Sequence, residues 1–356
     1  MHFSKLLIIS TLAISGYVQA SSSEIEYCVH PEFQSGPYTH LDCLQDGMAI
    51  VGYVPHYGAI DADGVEIIPP KYDLIYPFSE GVAVVMDFAS KKSAYINKQG
   101  DFITDFIFDD AREFSEGLGA VNQNPPNGIF NPDSGGWGFI DAKGEVQIPL
   151  QYQSVAYDGF KQGYAAVEQK GKWGMIDKSN NIHVPFIYDS LSDYNSDRAS
   201  AELNGKDGYI DLQGKPVIPF IYDNAARFQD GVAFVRKAYK YALIDASGKL
   251  LTSFIYDDAD PFFEGVAAVM IVDKYGYLLP SGQLLTEIEY DKAYPSKEGL
   301  MAVKKHDKWG YVDHSGELII PYQFDDFRYF YSGVAEVSID GERFYIDQLG
   351  QRLVLP

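Results

Sequence analysis

The sequence predicts an all-β chain of about nine tandem repeats, each a small three-stranded antiparallel unit, stacked into an open twisted array. A closed, propeller-like ring is the alternative. Three observations carry the prediction. Glycines closing an "IDxxG" phrase recur at Gly64, Gly100, Gly144, Gly214, Gly248, Gly282, Gly316 and Gly350, with Asn180 in the same place, and the last five spacings are all 34 residues. Every repeat shows the same short runs rich in Val, Ile, Tyr and Phe, separated by turn residues. No stretch has the length and 3.6-residue period of a long amphipathic helix.

Taken in order, residues 1–20 read as a signal peptide. Lys5 is basic, Leu6 to Val18 is mostly apolar, and "VQA" ends in the small residue Ala20, after which cleavage is expected. No later run approaches the ~20 apolar residues of a membrane-spanning helix, so no membrane insertion is expected. The leader looks bacterial, which places the chain in the periplasm or outside the cell. Residues 21–43 read as an amino-terminal capping arm holding both cysteines, Cys28 and Cys43, which an oxidising compartment would pair as a disulfide.

Residues 44–356 form the repeat domain. One unit, Phe228 to Asp257, shows its parts: an acidic-glycine turn at Asp230-Gly231, a strand at Val232 to Val235, and a second strand at Tyr241 to Ile244. A tight turn at Asp245 to Gly248, a third strand at Lys249 to Phe254 and a connecting "YD" phrase follow. In the second strand, alternate residues face opposite ways. "WGYVD" (Trp309 to Asp313) is apolar on both faces, as a middle strand between stacked sheets requires. The Trp-Gly pairs Trp137-Gly138, Trp173-Gly174 and Trp309-Gly310 are then structural, the glycine letting a neighbouring sheet's aromatic ring approach bare backbone. Asp141, Asp177 and Asp313 start turns whose amides their carboxylates accept, with Asn97 and Leu279 departing from the pattern. Asn180 replaces the turn glycine, and asparagine tolerates the left-handed conformation needed there.

These residues resemble the WG-repeat family of bacteria, whose phrase is matched by Gly171 to Asp189, by Lys308 to Asp325 and by Val217 to Val235. Tyr57, Ser93, Asp207, Tyr241, Tyr275 and Arg343 stand where the family has tryptophan. The resemblance implies a β-rich repeat architecture with an interaction or scaffold role. An open stack is favoured over a ring because the first unit begins with its own strand (Met48 to Val51) and the last ends with its own (Leu353 to Pro356). Nine units also exceed the usual ring of ~4–8 blades. Open stacks need caps at their ends.

With 28 basic and 50 acidic residues, the net charge of −22 excludes nucleic acid as a partner. No nucleophile elbow, zinc helix, phosphate loop or Cys-x-x-Cys pair is present, and the pairs His30/His40 and His306/His314 lack a third ligand nearby. No cofactor, metal or catalytic residue is therefore expected. The acidic turns Asp61 to Gly64 and Asp257 to Asp260 follow no calcium-loop pattern. One hairpin breaks the register. "NQNPPNGIFNPDSGG" (Asn122 to Gly136) lengthens it, and Ile129, Phe130 and Asp133 are its candidate binding residues. The reading reached is an exported non-enzymatic scaffold that binds a protein or peptide through an acidic, tyrosine-rich surface. A glycan-binding module is the alternative, and an unrecognised hydrolase has least support.

Overall fold

The computed structural model describes Pro31 and residues 38–123, 136–331 and 333–353. Their regular structure is all β. Nine small antiparallel sheets follow one another along the chain, and none closes into a barrel.

The fifth sheet shows the plan: Ser190–Leu191, Arg198–Leu203, Lys206–Asp211 and Pro216–Tyr222, hydrogen-bonded in that order. The two-residue first strand is an addition to the three expected, because the run after "YD" does more than connect. Ser190 and Leu191 pair with Glu202 and Ala201 of the next long strand. These first strands form one edge of the stack.

The last strand takes two forms, decided by one residue. Where proline stands five places after the turn residue (Pro69, Pro149, Pro185, Pro219, Pro321), a seven-residue strand pairs through a bulge. Where threonine stands one place earlier, the run leaves the ladder and keeps two isolated bridges per unit. The hydroxyls of Thr104, Thr252 and Thr286 then accept the backbone N–H of Tyr95, Leu243 and Tyr277, at 3.0, 2.9 and 3.0 Å. The strand expected over Lys249 to Phe254 belongs to this second form and is only bridged.

The bulge also corrects the reading of the Trp-Gly glycine. In all five proline units the carbonyl before the proline lies over it. A Cβ on Gly58, Gly138, Gly174, Gly208 or Gly310 would stand 2.2 to 2.7 Å from the oxygen of Ile68, Ile148, Val184, Ile218 or Ile320. The close approach comes from the same sheet's backbone, with no need of a neighbour's ring. Of the three threonine units, two carry Ala94 and Ala242 at this place, while the third keeps Gly276, where a Cβ would stand 2.7 Å from the Glu287 oxygen.

The aspartate turns form as expected. Asp141 Oδ1 accepts the amides of Lys143 and Glu145, Asp177 those of Ser179 and Asn181, and Asp313 those of Ser315 and Glu317. Asn97 does the same with its amide oxygen, and in the Leu279 turn Ser281 Oγ takes over, accepting from Gln283 at 3.3 Å. Asn180 has φ +64°.

Adjacent sheets share each hydrophobic core, as where Met48, Ile50 and Ala59 of the first meet Val85, Ala94 and Ile96 of the second. A second tie runs along the hairpins. The "YD" carboxylate takes a lysine of its own unit and a hairpin amide of the next: Asp223 holds Lys206 Nζ at 2.5 Å and Ala238 N at 2.7 Å. Asp189, Asp257, Asp291 and Asp325 repeat the arrangement.

The two ends of the stack differ. The first sheet's outward face, Ala49, Val51 and Ile60, is fully buried, with Tyr38 and Leu44 packed on it. On the ninth sheet's outward face Tyr345 is 39 % exposed, while its counterparts Tyr209, Tyr277 and Tyr311 are buried. Beside it Arg343 pairs with Glu336 at 3.1 Å, where most other units place apolar side chains. A polar last face is what an open stack requires. Arg343 thus departs from tryptophan for a structural reason.

Candidate functional site on the inner edge

The residues just after each first strand vary from unit to unit far more than the strands do. They are Tyr76-Pro77, Arg112-Glu113, Ala156-Tyr157, Ser192-Asp193, Ala226-Arg227, Asp260-Pro261, Tyr294-Pro295 and Arg328-Tyr329 in the second to ninth sheets, with Asp158 one place beyond its pair. Their backbone is nevertheless held by a repeated device. The buried hydroxyls of Tyr95, Tyr209, Tyr277 and Tyr311 donate to the carbonyls of Arg112, Ala226, Tyr294 and Arg328, at 2.6, 2.6, 2.6 and 3.0 Å. Each phenol is buried and hydrogen-bonded, and burial pushes its pKa well above the ordinary value. A rigid frame thus presents variable side chains.

This edge is the inner one, since residues two sheets apart meet along it. Arg227 of the sixth sheet reaches past the fifth to Asp158 of the fourth, Nη1 to Oδ2 at 2.9 Å. Asp158 also binds Lys161 at 2.7 Å. Between them Asp193 of the fifth sheet is 2 % exposed, 3.6 Å from Arg227, with no hydrogen bond to either carboxylate oxygen. Burial and then the Asp158 charge push the Asp193 carboxyl up to about 6, against Arg227 and Lys161. Burial opposes Asp158 too, but hydrogen bonds from Lys161 and Arg227 hold its carboxyl below the usual range.

A cleft of about 240 Å³ lies on one side of this cluster, lined by Glu113, Phe114, Ser115, Tyr157, Asp158 and Lys161. A larger one of about 490 Å³, with Asn195, Arg227, Gln229, Phe234, Tyr241 and Phe262, lies on the other. Tyr157 is 71 % exposed at the first, and Arg112 stacks on both its ring and that of Trp137, at 5.6 and 4.4 Å from the centroids. The arrangement offers an aromatic, doubly charged groove. Its two carboxylates face fixed cations and one is buried, so they tie sheets together.

Ile129, Phe130 and Asp133 lie outside the described residues, and so does Cys28, the expected partner of Cys43. Trp137, Trp173 and Trp309 stand in middle strands opposite Tyr152, Tyr188 and Phe324, while Gly138, Gly174 and Gly310 lie under the bulges and Asp141, Asp177 and Asp313 in turns. Of these only Trp137 reaches the inner-edge cluster, through Arg112, which lies over its ring and that of Tyr157. Sequence reading missed Asp158, Asp193 and Arg227, which stand 35 and 34 residues apart. The signal was available once the repeat phrase was subtracted. Among the described residues no three His, Cys, Asp or Glu side chains are placed to hold a metal ion, and no helix is long and apolar enough to cross a membrane.

Repeated antiparallel sheets with a recurring Trp-Gly strand define a β-repeat protein. The model of the WG containing repeat matches eight stretches, from residues 57–87 through 137–173 and 173–206 to 309–342, and the chain belongs to this family. No protein of curated function matches the sequence. Among solved structures, a eukaryotic initiation factor is similar at 9 % identity with a TM-score of 0.51, covering 84 % of this chain and 92 % of its own. That likeness is one of fold alone. Apo AztD from Citrobacter koseri aligns at 12 % identity with a TM-score of 0.34, over 79 % of this chain and 92 % of its own.

Proposed function

We propose that the chain is an exported, non-enzymatic scaffold that holds a protein or peptide along its inner edge. The observation that carries this is the convergence of non-repeating Tyr157, Asp158, Lys161, Asp193 and Arg227 on a frame whose other parts repeat. Variable side chains on fixed backbone are how repeat stacks make extended binding surfaces. The exposed Tyr157 ring and the half-exposed Lys161 and Arg227 suit a polypeptide, offering stacking and charged hydrogen bonds, while Asp158 and the buried Asp193 hold those cations in place. The glycan alternative needs a row of exposed rings. The regularly spaced Tyr72, Phe108, Tyr152, Tyr188, Tyr222, Tyr256, Tyr290 and Phe324 are all buried in the stack. The amino-terminal leader supports export, and a Cys28–Cys43 disulfide would fasten the arm that carries Tyr38 onto the first sheet.

The test is site-specific photocrosslinking in an envelope extract. A photoreactive phenylalanine replaces Tyr157 at the groove in one chain, and Tyr239, 86 % exposed on a hairpin, in another. The proposal expects one discrete polypeptide adduct at position 157 and none at 239. Equal labelling at both, or none at 157, abandons it.

A further inference from the structure

The fifth sheet contains a pocket that the eighth fills. There the Trp309 indole lies between Tyr294, just past its own sheet's first strand, and Phe327 in the next sheet's first strand, with ring centroids 5.5 and 4.4 Å apart. The fifth sheet puts Asp207 in the place of Trp309, Ser192 in that of Tyr294 and Ala225 in that of Phe327. Three large-to-small exchanges at one point leave a pocket of about 340 Å³, also lined by Trp173, Ser200 and Asn224. Such a volume accommodates a small organic molecule.

The polar groups of this pocket are unevenly satisfied. Ser200 Oγ donates to Ser192 Oγ at 3.1 Å, and Ser192 Oγ donates to the Asp193 carbonyl at 3.0 Å, so the hydroxyls are engaged with protein. Asp207 Oδ2 accepts the Ala225 amide at 2.8 Å. Its Oδ1 has no hydrogen bond or ion pair among the described residues. Glu202 stands directly across the ladder from Asp207 and adds a second negative charge, opposed by the positive charge of Arg236. The pocket therefore presents a net negative charge, one free carboxylate oxygen and an indole wall.

We propose that this pocket binds a primary alkylammonium group, its charge on Asp207 and its methylene stem against Trp173. A carboxylate oxygen lacking a donor favours a cation with N–H groups, and an indole stabilises both the cation and its apolar stem. Two sources supply this chemistry, a free amine and a lysine side chain of a bound polypeptide. The site rests on the fifth sheet and its neighbours and shares only Ser192 with the inner edge, so it does not depend on the reading proposed above.

Isothermal titration calorimetry of the full chain tests it, with butylammonium and with Nα-acetyl-lysine amide, against n-butanol and butyrate. The expected result is saturable heat with at least one of the two ammonium compounds and none with the neutral or anionic analogues. Asp207→Asn, which keeps shape, is expected to weaken that binding about ten-fold or more. Heat from butylammonium marks a free amine as sufficient; heat from the lysine derivative alone marks a side-chain source. A second readout uses Trp137→Phe/Trp309→Phe, which leaves Trp173 as the sole indole of three and reports the ligand by its emission. No saturable response to either ammonium compound overturns the proposal, and so does butanol binding equally or an Asp207→Asn chain that binds as before.

Discussion

The eighth and fifth sheets share one backbone plan and differ where it matters most. In both, a glycine lies under the bulge carbonyl (Gly310 and Gly208), an aspartate takes the turn amides (Asp313 and Asp211), and a buried tyrosine pins the next inner-edge loop (Tyr311 and Tyr209). Among the side chains exchanged are those around the tryptophan place, and with them a packed site becomes a charged pocket. The contrast separates the positions that build the stack from those free to serve a ligand.

The comparison can be broken most severely at Trp309. It is 8 % exposed, and Trp309→Ala should cost ~3–5 kcal/mol in denaturant unfolding by emptying a packed site. Next comes the covered glycine. Gly310→Ala puts a Cβ 2.6 Å from the Ile320 oxygen and should cost ~1–3 kcal/mol, whereas the reverse exchange Ala94→Gly in a threonine unit should cost no more than ~1 kcal/mol.

Asp193 gives an effect of similar size that depends on pH. Its carboxyl titrates near about 6 in the folded chain, above the ~3.9 of an unfolded aspartate. The folded state therefore binds the proton more tightly, and the associated stability is full below pH ~4 and lost as pH rises through ~6, up to ~2–3 kcal/mol. Unfolding of Asp193→Asn followed between those values should be correspondingly flatter. The smallest change sharpens the turn comparison. Leu279→Asp restores an acceptor for two amides and should add ~0.5–1 kcal/mol, read as a raised denaturant midpoint.

Much of this was legible from the sequence, because a repeat displays each structural requirement many times. The aspartate turns, the left-handed Asn180 and the double-faced middle strand were all visible that way. The glycine's reason was not, since the carbonyl covering it belongs to backbone some ten residues further on, as Gly310 and the Ile320 oxygen show. The short first strand was missed because two residues after "YD" carry no strand pattern of their own. The inner-edge cluster was hidden for the opposite reason: Asp158, Asp193 and Arg227 follow no phrase, and only the stacking of sheets brings them together. The same holds for Asp207, which in sequence is one departure from tryptophan among six.

The central claim, that repeated positions hold the fold while departures such as Asp207 are free for function, is tested most directly by the thermal melting of Asp207→Trp. The account predicts a midpoint at or above that of the unaltered chain, since the indole fills a pocket already shaped for it beside Ser192 and Ala225. A clear fall in the midpoint would contradict it, and would make Asp207 part of the structure.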